Sequence, residues 1–477
     1  MLCATAKYQE AGAVAALSSG IAILLASQIS IEAVLLAWFA TTPLASFYLR
    51  FPTDRSIITF NRVVFGLLLV MLLESYRVHW LPDPAREESY SSDRAHFSLS
   101  RFELAWAVLS ILALASAVAK SNNAAYAVRI AFDTFWLPLF AFHFARKGFN
   151  LRTGGRLLLV GCMVLALFLF AVGATELATG IDLFQYKGAE LVREGERRVN
   201  GPFASDSSFA IICLSLFLLL LAAPKLIRAR FDKGAKFVYG CAISAAALGS
   251  LLSLFRIVAF ALVVCSAAQW LWGRDSRLRK KGRDHSGLLP VAAIIALLLI
   301  AAGGLLATTL PASSSGRLMN TRSVFGRLAT WQGAAEIAFD NSILGVGLTN
   351  YSDYYDASHF YSDVEPEEIL ETKAADSPHS NLLWIASELG LVAAAAYIFA
   401  NLYLGLMGWR ALKRATGDRQ RMAASCFLSL VVAYWITGLT LTSGYYSDLN
   451  LYFLFLLGAL STEFSGGYNT GASVTDS

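Results

Sequence analysis

Charge is scarce in this 477-residue chain: 15% of its residues are charged, against 56% hydrophobic. Soluble domains carry nearer a quarter charged residues, so a soluble globular fold is excluded for the chain as a whole. Cysteine is sparse too. The six are Cys3, Cys162, Cys213, Cys241, Cys265 and Cys426, and five fall in apolar runs. That placement argues against a disulfide framework and against a zinc site. It reads as buried thiols acting as small hydrophobes. Three chemical signatures are also missing. There is no Asp-x-Asp pair of the kind that holds a metal-bound nucleotide sugar, no Gly-rich loop ending in Gly-Lys-Ser/Thr, and no Ser/His/Asp nucleophile set. ATP hydrolysis and bound metal or other cofactors are therefore not expected. The net charge of +5 does not point to nucleic acid, because the basic residues sit in short linkers between apolar runs, where membrane topology accounts for them.

What is abundant is apolar sequence in lengths that cross a bilayer. With the requirement of roughly 20 residues per spanning helix, spans are expected at about 11–28, 30–48, 57–74, 101–118, 127–145, 154–174, 203–223, 236–252, 254–272, 289–309, 382–406, 422–442 and 447–462. The expected fold is all-α, a polytopic bundle of about 12–13 transmembrane helices with one large, partly helical loop. The first run lacks a basic flank and reads as a retained helix. The organisation follows as 1–309 (about ten spans), a large loop at 310–381, C-terminal spans at 382–463 and a polar tail at 464–477. No internal repeat is evident.

Orientation follows from Lys and Arg in short linkers. The linker 224–236 carries Lys225, Arg228, Arg230, Lys233 and Lys236 against Asp232 alone. The linkers 273–285 and 409–421, and the stretch around Arg146–Arg156, are basic as well. Parity puts all four on one side, which should be cytoplasmic. The loop 310–381 and the polar segment 178–202 then face the periplasm, and the loop is acidic, with ten Asp or Glu against Arg317, Arg322, Arg327 and Lys373. Inside it, Val324, Leu328, Trp331, Ala335 and Ala338 recur at helical spacing, predicting a helix over about 324–339. Gly345-Val346-Gly347 reads as a turn. Tyr351, Tyr354, Tyr355, Phe360 and Tyr361 either line a sugar groove or form a packed loop core.

Three residues on or near that outer face carry candidate chemistry. His379 stands where the loop re-enters the membrane. A neutral imidazole there can take a proton from a sugar hydroxyl, or it simply caps the next helix, which is the commoner role for such a position. His359 is an ordinary loop residue. Arg198 precedes the span at 203, and its planar fork suits a phosphate, although arginines also snorkel to headgroups there. Arg256 interrupts an apolar run, where a charge is expensive and usually faces a cavity, a partner or a pathway, unless the turn brings it close to water. An external diphosphate held by arginines, with one histidine base and no metal, fits these residues.

In order and spacing, residues 197–391 resemble the O-antigen ligase and polymerase superfamily of bacterial envelope glycosyltransferases. The resemblance rests on four features. These are Arg198-x-x-Gly201-x-Phe203, Ser253-x-x-Arg256, Arg327-x-x-x-Trp331 followed by Leu344-Gly345-Val346-Gly347, and His379-Ser380 with Gly390 in the next helix. The chain departs from the family in having Asn341-Ser342 where Asn-Pro is common and Ser380 where Asn is common. The resemblance implies a multi-pass enzyme of the bacterial inner membrane, active at its periplasmic face and independent of metal. It implies transfer of a glycan from undecaprenyl diphosphate, with inversion, to the lipid A core (a ligase) or to a lipid-linked repeat unit (an O-antigen or exopolysaccharide polymerase). It also implies His379 as general base, Arg198 and Arg256 as diphosphate clamps, and Arg327 as a further contact to phosphate or glycan. A transporter of lipid-linked glycan and a structural subunit of an export complex are the other classes that a polytopic chain admits; transporters are often built from repeats, and none is seen.

Overall fold

In hydrocarbon every backbone N–H and C=O must be paired within its own segment, and an apolar run therefore becomes a helix. The computed structural model describes residues 31–48, 50–51, 58–80, 99–184, 192–193, 196–197, 199–203, 205–227, 231–253, 255–273, 322–355 and 377–465. The expected spans 11–28 and 289–309 and the loop stretch 356–376 lie outside these. Eight described helices are long and apolar enough to cross a membrane: Arg101–Ala119, Ala124–Gly148, Gly155–Thr179, Asp206–Leu226, Lys233–Leu252, Arg256–Gly273, Leu391–Arg414 and Asp418–Gly438. Ile31–Tyr48, Phe60–Trp80 and Ser447–Ser465 are further helices of the bundle. Two antiparallel pairs of two-residue strands, Arg50–Phe51 with Ile58–Thr59 and Val192–Arg193 with Glu196–Arg197, are small additions to an all-α fold.

Helix ends follow local chemistry. Ser100 and Glu103 form a reciprocal capping box at the start of Arg101–Ala119, and Asp232 accepts the Ala235 N–H at the start of Lys233–Leu252, each satisfying amides the helix cannot pair itself. The Ala124–Gly148 span contains a π turn at Phe132–Trp136. Its cause is visible in the sequence: Pro138 has no N–H to give to the Thr134 carbonyl. That carbonyl accepts from Asn450 Nδ2 at 3.2 Å instead, and the Phe135 carbonyl accepts from Trp106 Nε1 at 2.9 Å.

Asp206–Leu226 and Asp418–Gly438 are the most enclosed spans. Outer spans keep a lipid-facing stripe. On Arg101–Ala119, Leu104, Val108, Ile111 and Val118 are exposed, while Phe102, Trp106, Leu109 and Ala113 pack inward. The spans from Arg101–Ala119 to Arg256–Gly273 alternate in direction, and Gly273 at the end of the last of them lies against Met422, so the linkers around 148–155, 227–233 and 414–418 fall at one end of the bundle. The same end holds a buried cluster in which Glu103 binds His143 at 2.7 Å and Arg146 at 3.0 Å. At the opposite end gather residues 119–123, 199–203, 341–355, 377–390 and 439–446.

One expected span is corrected. The apolar run at 382–406 is two helices, Asn381–Leu389 and Leu391–Arg414, broken at Gly390 with φ 91°. The first belongs to the loop assembly and only the second is long enough to cross.

Candidate functional site

The break at Gly390 is where the loop fastens onto the bundle. Gly345 (φ 65°) lies so close to the Asn381–Leu389 helix that a Cβ there would stand 2.2 Å from the Glu388 carbonyl carbon. A Cβ on Gly390 would stand 2.3 Å from the Ile343 carbonyl oxygen. Two glycines thus interlock, each leaving the space the other's backbone fills. Three backbone bonds close the contact: Val346 N to Ser387 O at 3.0 Å, Gly347 N to Glu388 O at 3.1 Å, and Leu391 N to Ser342 O at 2.8 Å. The Ser116 hydroxyl bridges the Leu344 and Glu388 carbonyls at 2.8 and 2.9 Å, and Asn350 Nδ2 reaches the Lys120 carbonyl at 3.1 Å. The Leu344–Gly347 motif is therefore a joint between the loop, the Asn381–Leu389 helix and the C-terminal end of Arg101–Ala119.

At the centre of this joint is Glu388, a buried acid that the sequence reading placed inside a span and did not single out. Its carboxylate accepts from Trp384 Nε1 at 2.7 Å, the Thr349 N–H at 2.9 Å and the Tyr351 N–H at 3.1 Å. Burial pushes its carboxyl up to about 7, against the pull of those three donors, which favour the charged form. The signal that could have found it is an acid nine residues after His379 within an otherwise apolar stretch, since such a residue needs partners. Trp384 itself is stacked on Phe135 (5.9 Å, 6°) and set edge-on to Tyr445 (5.4 Å, 76°).

The loop helix is present as Arg322–Asp340. Its buried face is Thr330, Ala334, Ile337 and Ala338, while Leu328 is half exposed. This face is rotated by about one residue, roughly 100°, from the expected stripe and shares Ala338 with it, because the small side chains admit Tyr351, whose hydroxyl donates to the Thr330 carbonyl at 3.0 Å. Tyr351 and Tyr355 are buried and stacked at 5.4 Å, so of the two readings of the tyrosines these two form a loop core. Tyr354 is exposed; Phe360 and Tyr361 lie outside the described residues.

His379 is half-buried, immediately before the helix whose N-cap is Ser380. Its φ is +50°, and among the described residues only Thr349 (φ 74°) shares a positive φ without being glycine. Both lie in this joint. Sparsely populated backbone of this kind costs on the order of 1–3 kcal/mol, persists only where the surroundings hold it, and clusters at functional sites. Two residues before His379, Ser377 Oγ accepts from Thr442 Oγ1 at 3.0 Å. Two residues after it, Asn381 Oδ1 accepts the Gly444 N–H at 2.6 Å.

Of the three arginines, Arg198 lies outside the described residues, but its neighbour Val199 is buried. The Val199 carbonyl accepts from Ser253 Oγ at 3.3 Å. Ser253 stands in the turn that leads to Arg256, the exposed first residue of its span. The segment after Arg198 is also held by Glu176, which accepts the Gly201 N–H at 2.8 Å. Ser253, three residues before Arg256, thereby meets Val199, the residue that follows Arg198 in the sequence. Arg327, partly exposed, sits one turn before Thr330 on the loop helix, which packs on the Asn381–Leu389 helix that follows His379. The contacts just described do not themselves join these two groupings. Among the described residues no three of His, Cys, Asp and Glu gather to hold a metal ion. Cys162, Cys213, Cys241, Cys265 and Cys426 are free thiols away from the site.

No curated protein matches this chain. Residues 199–398 match the family model described as O-antigen ligase. The match starts one residue after Arg198 and takes in Arg256, Arg327, the glycine interlock, His379 and Glu388. The chain is thus a multi-pass membrane protein that over residues 199–398 is similar to the O-antigen ligase family, whose members have a glycosyltransferase type of activity, ligase or polymerase.

Proposed function

We propose that the protein transfers a glycan from undecaprenyl diphosphate to an acceptor sugar at the periplasmic face of the bacterial inner membrane. His379 is the general base. Its imidazole takes the proton of the acceptor hydroxyl as the oxygen attacks the anomeric carbon. The bond from that carbon to the diphosphate oxygen breaks, and undecaprenyl diphosphate leaves with the electron pair. Attack is direct, with inversion. Arg198 and Arg256 hold the diphosphate and offset the charge that develops on it, with Arg327 as a further contact. Diphosphate is a good leaving group once its charge is neutralised, so positioned cations and one base are sufficient and no metal is used. The donor is a lipid-linked glycan, and the acceptor is the lipid A core. A lipid-linked repeat unit as acceptor would make the same site a polymerase.

The observation that carries this reading is His379 itself: a histidine at φ +50°, fixed on both sides, within the family-matched segment. The test is replacement of the gene by a His379→Ala allele at equal protein level, with surface glycan read on a gel. Loss of long chains from the lipid A core with lipid-linked polymer still present supports a ligase. One repeat unit left on the core supports a polymerase. Loss of free exopolysaccharide with the long chains unchanged supports an exopolysaccharide polymerase, and unaltered long chains together with unaltered exopolysaccharide would overturn the mechanism.

A further inference from the structure

The connector between the last two spans, residues 439–446, closes on the chain segment that carries His379. Asn381 is its principal attachment. Beyond the Gly444 N–H, Asn381 Nδ2 donates to Ser443 Oγ at 3.2 Å and to the Tyr397 hydroxyl at 3.4 Å. The slot around it is built for it. A Cβ on Gly438 would stand 2.5 Å from Asn381 Nδ2, and one on Gly444 3.1 Å from its Cγ. Asn381 is 1% exposed. The connector is anchored in turn: Asn450 Nδ2 donates to the Gly444 carbonyl at 2.8 Å and Oδ1 accepts from the Tyr434 hydroxyl at 2.9 Å. Thr442 grips Ser377 on the other side of His379. So a histidine in a backbone conformation it rarely adopts is held between two clamps from one connector.

We propose that Asn381 is a positioning residue that fixes the His379 imidazole for proton abstraction, and that the 439–446 connector, remote in sequence from the loop, is thereby part of the active site. This rests on His379 being the base. A displacement of about 1 Å in a reacting group costs on the order of 100-fold in rate, and the two clamps are what hold the His379 backbone against such a displacement.

The test uses the full-length protein purified and reconstituted in liposomes, with undecaprenyl-diphosphate-linked glycan as donor and lipid A core as acceptor. Asn381→Ala is expected to lower kcat about 100-fold while KM for the donor stays within about twofold, because the arginine turn is untouched. The pH at which rate rises should not move, since the substitution removes a neutral amide and no charged group. Asn381→Asp, which keeps an acceptor for the Gly444 N–H and for two hydroxyls, should restore most of kcat, and Thr442→Val should give a smaller loss of the same kind. Amide hydrogen exchange should quicken at 377–381 in Asn381→Ala and stay unchanged in 391–414. Wild-type kcat per folded molecule in Asn381→Ala, or a loss of kcat with unchanged exchange at 377–381, would overturn the proposal. Turnover surviving in His379→Ala would instead remove the base assignment, so the two failures are separable.

Discussion

The glycine interlock makes Gly345→Ala the most quantitative perturbation of the site. The added methyl would stand 2.2 Å from the Glu388 carbonyl carbon and 2.3 Å from its oxygen. Ordinary contact begins near 3.4 Å, so the turn must retreat by about 1 Å, and backbone cannot swing aside as a side chain can. Alanine at φ 65° adds about 1–2 kcal/mol. Retreat stretches the bonds from Val346 and Gly347, at 3.0 and 3.1 Å, past the useful limit. These are worth about 0.5–1.5 kcal/mol each. It also loosens Thr349 and Tyr351 from the Glu388 carboxylate, leaving buried acceptors short of donors at about 1–3 kcal/mol. The sum is about 3–8 kcal/mol, enough to undock the loop while the spans stay folded. Amide exchange on the purified full chain should show faster exchange at 341–355 and 381–389, with 206–226 unchanged, and glycan transfer should fall with it. Gly405→Ala is the control, since nothing lies within 4 Å of a Cβ there. Wild-type exchange and transfer in Gly345→Ala would refute the interlock.

Other consequences follow from the same geometry. Glu388 is raised from 4.5 to about 7 by burial. Its stabilising contribution is therefore complete below the unfolded value and lost as pH rises through about 7, with an amplitude of about 3 kcal/mol at 1.36 kcal/mol per pKa unit. The melting temperature in detergent should fall between pH 5 and pH 8, and Glu388→Gln should flatten that slope. Arg256→Gln should raise KM for the lipid-linked donor at least tenfold with protein level kept, and Arg256→Lys should recover part of it, because lysine keeps the charge but not the fork; equal KM in all three would remove Arg256 from the donor site. Glu103→Ala strands His143 and Arg146 at the far end of the bundle. Breaking such a buried cluster costs about 3–5 kcal/mol, so thermal stability should drop while kcat per folded molecule is unchanged.

Hydropathy made the bundle legible, because a run of roughly 20 apolar residues has one physical solution in lipid. The loop helix was legible too, at 324–339 against the observed Arg322–Asp340. Its buried face was not, since Leu328 outscores Thr330 and Ala334 in apolarity, while the contact selects small residues that let Tyr351 approach. The break at Gly390 was hidden for a similar reason. Asn381 to Tyr397 is almost continuously apolar, and nothing local reports that Ile343, far back in the chain, lies against Gly390. Glu388 was passed over inside that same run. His379 and Arg256 were visible as residue types in telling places. The bonds that hold their neighbours (Thr442 to Ser377, Gly444 to Asn381, and Ser253 to the Val199 carbonyl) are tertiary facts that no local pattern encodes.

The central claim is that His379 takes the acceptor proton. The most direct measurement is single-turnover transfer by reconstituted wild-type and His379→Ala protein, with undecaprenyl-diphosphate-linked glycan in excess, across pH 5 to 9. The wild-type rate should rise as an imidazole loses its proton. His379→Ala should retain donor binding and lose transfer at least about 100-fold, the contribution of a general base being typically 10²–10⁴-fold. A variant that transfers at the wild-type rate, with the same pH dependence, would contradict it.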